Sequence, residues 1–353
     1  MFGKREERFE PKLFRDSLLP KLNKTSKLAD MDLQTVNQLI TDPSEWDGSL
    51  FGTQLELVKL SEVKFHSTQT VTDLGDGVKL LRLKVNQPIT TRSRPLTLRY
   101  VATIFDQAHG GHYAGASIEQ GRMLIMPPDF DFDACVKDGE FTCSSVFVPP
   151  DALESFYKTI TGHELEPFDC LKIANLKPTA TQWLSAWPGL VAPECLESLS
   201  ARQRASIQES LSDSALTMLT DALQSSPSRP LPEDESSGNE SRLSKARSLV
   251  RLAEDYANVN RDVNIRMVDL CKVTEVSERT LQYAFQTCLG LSPMNYLKRH
   301  RLHQVRRELK EADGARSTVS AIACQFGFFH FGDFSLAYKS QFNESPSQTL
   351  KSA

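Results

Sequence analysis

The C-terminal part of the chain contains the same pattern twice: a short apolar helix, a turn, and a second helix with one apolar and one polar face. The first copy lies at about 265–289 and the second at about 318–342, and a basic segment joins them. One copy is a common accident of sequence. Two in tandem favour a compact all-α unit that places two outward-facing helices side by side, as in helix-turn-helix domains.

The first copy has the residues that a recognition helix needs. Ser277 stands where an N-cap belongs, because its hydroxyl can accept a hydrogen bond from a free backbone N–H of the following helix. Leu281 and Phe285 share one face, which we expect to pack on the preceding helix. The opposite face can hydrogen-bond to base edges in a major groove. The predicted base contacts of this copy are Arg279, Gln282, Tyr283 and Gln286.

In the second copy, aromatic residues repeat at helical spacing, with Phe334 and Tyr338 four positions apart. Gly327 precedes them and can adopt the left-handed conformation of a tight turn without steric cost. We predict base contacts from the residues that open the helix, including a thymine methyl for the aromatic ring. These residues are His330, Phe331 and Gly332. Two alternatives stay open: His330 can cap the helix or touch a phosphate, and the aromatic run can be core.

The segment between the copies is predicted to be a helix that begins at Pro293, a residue suited to a first helical turn. About sixteen helical residues span roughly 24 Å, which can hold two recognition helices near one DNA turn apart, roughly 34 Å. Basic and hydroxyl side chains in this region can bind the DNA backbone. The predicted phosphate contacts are Ser277, Lys298, Arg299, Arg306, Arg307 and Lys339.

Charge is divided unevenly along the chain. The formal net charge is −4 over 353 residues, yet residues 242–353 contain 17 Lys and Arg against 11 Asp and Glu. A basic end on an acidic body is the charge distribution expected of a protein that binds DNA through that end.

Residues 242–353, about a third of the chain, resemble the DNA-binding domain of the AraC/XylS family of bacterial transcription regulators. The segments that carry the resemblance are 277–282, 290–297, 301–309 and 322–334. The resemblance implies a sequence-specific regulator that binds double-stranded DNA in two successive major grooves, as an activator or a repressor. The resemblance also implies two protein partners: RNA polymerase, and a second copy of the chain in a homodimer.

Three positions depart from the commoner pattern of this family. Glu275 and the pair Asn343-Glu344 stand where glycine is usual, and Leu336 stands where arginine is usual. A left-handed residue other than glycine costs roughly 1 kcal/mol, so we expect a strained or differently shaped turn at Glu275. Leucine cannot pair with guanine, which predicts weaker base reading by the second unit. The run 327–334 resembles a branch of the family that includes ethanolamine-operon regulators.

Residues 31–194 are predicted to be a β-rich domain of cupin-like or jelly-roll architecture, because short alternating runs are separated by glycine-containing turns. The family resemblance implies that such a domain senses a small-molecule effector or pairs subunits; the sequence assigns no effector-binding residues. Residues 1–30 are polar and predicted to be a flexible tail. The expected fold class is therefore α+β multidomain, with a β-rich front, a helical linker and an all-α tandem helix-turn-helix end.

Residues 195–224 are predicted to be helical, with leucines that include Leu211, Leu219 and Leu223 on one side. Two interpretations stay open: the helices pair two subunits, or they pack on their own β domain. Residues 225–241 are rich in proline, serine and acidic residues, which predicts a flexible linker.

We predict no catalytic, cofactor or metal site. The seven cysteines lack zinc-ligand spacing, and His109, His112 and Glu119 do not follow the metal-binding cupin pattern. No apolar run reaches the roughly eighteen residues of a membrane-spanning helix, so we expect a cytoplasmic protein with no membrane partner. Two alternatives remain: an enzyme with a DNA-binding tail, and an architectural DNA binder without a ligand.

Overall fold

Ten antiparallel strands form one sheet in the first half of the chain. The computed structural model describes residues 33–46, 48–226, 238–313 and 317–352. The strands are β1 (Gln34–Ile40), β2 (Thr53–Lys59), β3 (Ser67–Asp73), β4 (Lys79–Val85), β5 (Ile89–Pro95), β6 (Tyr100–Tyr113), β7 (Ala116–Ser117), β8 (Arg122–Met126), β9 (Phe132–Val148) and β10 (Lys172–Asn175).

The two long strands, β6 and β9, organise this sheet. The main strand order is β1-β3-β4-β9-β6-β8-β10, and β9 also pairs with β5, which pairs with β2. The register between β6 and β9 shifts between Phe105 and Gln107 and again between Gln107 and His109. Such irregularities bend a strand. The sheet therefore folds into two layers that share β6 and β9: one contains β4 and β8, and the other contains β5 and β2. The predicted β-rich front is confirmed.

Side chains alternate across the sheet and build two apolar cores. Leu81, Phe105 and Phe147 belong to a core between the β layers. Their chain neighbours, among them Leu80 and Val146, point to the other face. That face is covered by helices, which are α1 (Pro150–Thr161), α2 (Pro178–Leu190), α3 (Pro193–Leu196) and α4 (Ala201–Ser225).

Helix α4 begins at a capping box formed by Ser200 and Gln203. Its leucines, Leu211, Leu219 and Leu223, are buried in the same core as the outer face of the sheet. These three leucines therefore pack on their own β domain, which is the arrangement of the second interpretation.

The C-terminal part is all helical. Its helices are α5 (Gly238–Val259), α6 (Met267–Thr274), α7 (Glu278–Leu289), α8 (Pro293–Glu311), α9 (Val319–Gln325), α10 (Phe331–Phe342) and α11 (Pro346–Lys351). Helix α8 begins at Pro293 as predicted and runs for 19 residues, longer than expected.

Two apolar cores hold these helices. One contains Leu270 of α6, Phe285 of α7 and Tyr296 of α8. The other contains Leu309 of α8, Ile322 of α9 and Phe334 of α10. Because α8 contributes to both, it joins two helix-turn-helix units rigidly, and the predicted tandem arrangement is confirmed.

Two predicted segments fall largely outside the described residues. The tail at 1–30 lies entirely outside them, and so do residues 227–237 of the linker predicted at 225–241. The ends of that linker are helical instead, since α4 continues to Ser225 and α5 begins at Gly238. Within the described ranges, no helix combines the length and apolar character that crossing a bilayer requires.

Candidate nucleic-acid interface

The turn of the first helix-turn-helix unit is closed by Glu275 and Ser277. Glu275 follows α6 in the left-handed conformation with φ of 55°, which normally favours glycine. Ser277 caps α7, because its Oγ accepts a hydrogen bond from the backbone N–H of Thr280 at 3.2 Å. The predicted cap is confirmed, and Glu275 takes the backbone conformation that glycine has in the commoner family pattern.

Helix α7 presents one open polar face. Leu281 and Phe285 are buried beneath it. The predicted base contacts all lie exposed on the opposite side, and they are Arg279, Gln282, Tyr283 and Gln286. The amide of Gln282 donates to the Glu278 carboxylate at 2.9 Å. The structure thus brings the four side chains together on a face that can enter a groove.

Helix α10 presents a different face. His330 is exposed at its N-cap position but makes no side-chain capping hydrogen bond, so the capping role considered for it is not observed. Phe331 and Gly332 are also exposed, whereas Phe334 and Tyr338 are buried. Phe334 and Tyr338 therefore belong to the core, whereas Phe331 faces outward.

The predicted phosphate contacts also differ from one another in exposure. Lys298, Arg307 and Lys339 are exposed. Ser277 is exposed, but its hydroxyl is engaged in the cap of α7. Arg299 is half-buried, where it donates to Gln341 Oε1 at 3.2 Å.

The position of Arg306 does not fit the phosphate contact predicted for it. Its guanidinium is buried, donates to both carboxylate oxygens of Asp42 at 3.0 and 3.1 Å, and lies 2.8 Å from Glu344. The ring of Phe342 lies 4.5 Å beneath it. A guanidinium enclosed in this way cannot reach a DNA phosphate, so Arg306 is a structural residue between the β domain and α8.

The Asp42 carboxyl is the acceptor at the centre of this cluster. Burial alone would raise its pKa, but hydrogen bonds from Arg306 and from Lys310, at 2.6 Å, hold the pKa well below its usual range. Burial opposes the charge of Arg306 too, yet Asp42 raises the pKa of the guanidinium. Both groups are therefore ionised at neutral pH. Sequence reasoning missed Asp42; the run Asp42-Pro43-Ser44 indicates only its local cap, which the Ser44 N–H confirms at 2.9 Å.

A second polar cluster lies beside the first. His303 of α8 is buried, and its Nε2 accepts the backbone N–H of Lys59 at 3.3 Å. Gln341 of α10 donates to the Lys59 carbonyl at 3.1 Å. Burial holds the pKa of His303 well below its usual range and lowers the pKa of Lys59 to about 8. Strand β2 is thereby fixed to α8 and α10 together.

The first helix-turn-helix unit also contacts the β domain. Arg247 of α5 donates to Asp133 of β9 at 3.0 Å, and Arg92 of β5 pairs with Asp255 of α5 at 2.6 Å. His112 Nε2 lies 3.0 Å from the same Asp133 carboxylate. Among the described residues, no group of three or more His, Cys, Asp or Glu is arranged to hold a metal ion.

The β domain contains a partly open apolar cavity of about 120 Å³ between its layers. Aromatic and aliphatic side chains form most of its wall, including Leu81, Phe105, Tyr113, Phe141 and Phe147. A few hydroxyls, among them Thr103 and Ser145, and the guanidinium of Arg99 complete the lining. No sequence motif indicated this cavity, because its wall combines residues from strands that are distant in the chain.

Comparison with known proteins agrees with the helical geometry. Residues 270–352 match a family model described as a helix-turn-helix domain. A probable thc operon regulatory protein of Rhodococcus erythropolis is 39% identical over 103 residues, which are 29% of this chain and 31% of that protein. The XylDLEGF operon transcriptional activator 1 of Pseudomonas putida is 29% identical over 283 residues, which are 78% of this chain and 82% of that protein.

Among solved structures, a probable AraC family transcriptional regulator from Rhodopseudomonas palustris CGA009 is similar at 38% identity, over 30% of this chain and 95% of that chain, with a TM-score of 0.27. The chain spans about a third of the length of the Rhodococcus relative. The domain match supports a helix-turn-helix domain at residues 270–352, and both operon regulators are proteins to which this chain is similar.

Proposed function

We propose that this protein is a transcriptional regulator of the AraC/XylS type that binds an asymmetric DNA site through two successive major grooves. The observation that carries the proposal is the pair of exposed faces, on α7 and α10, fixed to one shared helix, α8. Its partners are double-stranded DNA and RNA polymerase, and it acts in the cytoplasm.

Selection of bound sequences from a random DNA pool by the full chain tests this function. Two short motifs about ten base pairs apart are expected, because recognition helices of this kind enter grooves one turn apart. Absence of any enriched sequence would contradict the proposal.

Arg279→Ala is expected to weaken binding to the selected site by roughly 1–3 kcal/mol and to relax base preference in one half-site, because arginine pairs with two acceptors of guanine. Binding titrations with the selected site and its single-base variants measure both effects. Arg202→Ala, at an exposed arginine of α4, is the matched control. An unchanged base preference in Arg279→Ala would assign base reading to other residues.

Arg307→Ala is expected to weaken binding to all DNA sequences alike and to reduce the slope of log affinity against log salt by roughly 0.9, the value for one phosphate contact. Titrations at several salt concentrations measure the slope. A change of sequence preference instead would show that this exposed residue of α8 reads bases.

The apolar cavity between the β layers is the proposed effector site. The apolar and aromatic wall of this cavity suits a small apolar or aromatic molecule. A ligand changes DNA binding only if it binds two states of the protein differently. The buried contacts of β2 with α8 and α10 are the route by which such a difference reaches the recognition helices.

Glu62 supplies a direct test of whether the β domain affects DNA binding by the helices. This carboxylate, in the loop after β2, accepts a hydrogen bond from Ser340 of α10 at 2.6 Å and lies 3.8 Å from the guanidinium of Arg299. In the proposed complex, a DNA phosphate bound by Arg299 would compete with this carboxylate for the guanidinium. Glu62→Gln is expected to raise DNA affinity about two- to fivefold at low salt, the scale of one exposed ion pair.

The matched control for Glu62→Gln is Glu140→Gln, which removes an exposed carboxylate paired with Lys84 elsewhere in the β domain. It should leave DNA affinity unchanged. Equal gains in both variants would mean that the effect is one of net charge and not of the contact with Arg299.

One narrower proposal and two rival functions complete this assignment. The run 327–334 supports a place near the ethanolamine-operon branch. The rival functions are an enzyme with a DNA-binding tail and an architectural DNA binder whose cavity stays empty. Native mass spectrometry of the purified protein separates the second rival from a sensor, because a sensor is expected to carry or accept a small molecule.

A further inference from the structure

The exposed face of α10 differs in chemistry from that of α7. Helix α7 presents arginine, glutamine and tyrosine. Helix α10 presents Leu336, which is 71% exposed, and Phe331, which is 42% exposed. The exposed residues between them are Gly332, Asp333 and Ser335. The second recognition helix therefore exposes two large apolar side chains, whereas the first exposes mainly hydrogen-bond donors and acceptors.

Gly332 has no role in the fold of α10. Its φ is not in the left-handed range, and a Cβ built at this position meets no atom within 4 Å. A side chain would therefore fit at this position among the described residues. Its absence lets the backbone of the first helical turn approach another surface closely.

Charges of both signs surround this face. Lys339 of α10 and Lys298 of α8 are exposed near Leu336, and the groove that Leu336 and Lys298 line also contains Asp333 and Glu62. Cations that flank an apolar strip suit a duplex, because phosphates border a groove whose floor carries the base edges.

Leu336 has no polar atom, so it cannot satisfy the donors and acceptors that guanine, cytosine and adenine display in the major groove. Thymine alone adds an apolar group there, the C5 methyl. We propose that α10 reads thymine methyl groups, with Leu336 as the principal contact, Phe331 as a second, and Gly332 allowing the close approach. The inference rests on the proposed DNA-binding function and assigns the second half-site a thymine-containing sequence.

Replacing thymine by deoxyuridine removes the methyl group and nothing else. With the full chain and duplexes that carry the selected site, each thymine of the second half-site is replaced in turn. At one or two positions we expect about a fourfold loss of affinity, the effect of burying one methyl group. In the Leu336→Ala variant the same replacement is expected to have almost no effect. Leu336 is exposed, so this variant should fold.

Arg279→Ala is the control variant: it should bind more weakly overall yet keep its sensitivity to deoxyuridine in the second half-site. Equal affinity for thymine and deoxyuridine at every position of that half-site would overturn the inference while leaving DNA binding intact. So would an equal deoxyuridine effect in the wild-type protein, Leu336→Ala and Phe331→Ala. If no DNA is enriched in the selection, the proposed function itself fails, and this inference with it.

Discussion

Asp42→Ala is expected to lower the free energy of unfolding of the full chain by about 3 kcal/mol, near the low end for a broken buried ion pair. The reason is that Arg306 stays buried after its main carboxylate partner is removed, although Glu344 still lies 2.8 Å from it. Because Asp42 precedes β2 and Arg306 belongs to α8, the loss falls on the contact between the β domain and the helix-turn-helix units. Urea denaturation of the variant and the wild-type protein measures it.

Asp221→Ala is the matched control, since it removes the same side chain from an exposed pair with Lys177. Such a pair contributes at most about 1 kcal/mol. The double variant Asp42→Ala, Arg306→Met should regain much of the lost stability, because replacing both members of a buried pair by apolar groups is often neutral. A loss below about 1 kcal/mol for Asp42→Ala alone would contradict a structural role for the pair.

Lowering the pH from 7.5 to 5.5 is expected to destabilise the folded protein through His303 and His112. Burial lowers the pKa of both histidines, so each binds a proton less readily in the folded protein than in the unfolded chain. Below about pH 6.5 the unfolded chain therefore binds more protons at these positions, and stability falls with pH. The loss for His303 is up to about 1.4 kcal/mol per pH unit, with a smaller loss for His112.

The surroundings of His303 explain why it carries the larger effect. Its Nε2 accepts a backbone N–H from Lys59, so a proton there would remove an acceptor. The cations of Lys59 and Arg306 add to the burial, and Asp42 only partly opposes them. His303→Gln keeps an acceptor for that N–H and should flatten the pH dependence, whereas the exposed His330→Gln should not. The same slope in all three proteins would show that other groups dominate.

Helix positions and caps could be read from the sequence because they depend on neighbours. The hydroxyl of Ser277 reaches the start of α7 only three residues away, and Pro293 begins α8. The four outward side chains of α7 follow from the 3.6-residue period once Leu281 and Phe285 are assigned to the core. Whether those side chains contact bases stays a prediction, because it concerns a second molecule.

Two features depend on partners that are distant in the chain: the role of Arg306, and the packing of α4 that the sequence left open. Arg306 and Arg307 look alike on a basic helix, but Asp42, 264 residues earlier, makes one of them structural. The leucines of α4 fit a subunit interface or their own sheet equally well by periodicity, and only the packed core distinguishes the two.

The sequence by itself determined the tandem helix-turn-helix units, the β-rich front and the contrast between the faces of α7 and α10, because each follows from short-range periodicity, capping and residue chemistry. Tertiary structure alone decided which basic residues remain free for DNA, where the β domain holds the recognition helices, and that a cavity exists between its layers. Those features depend on which distant side chains share a buried volume. Burial of apolar groups stabilises these pairings, whereas a charge removed from water is stable only when a partner compensates it.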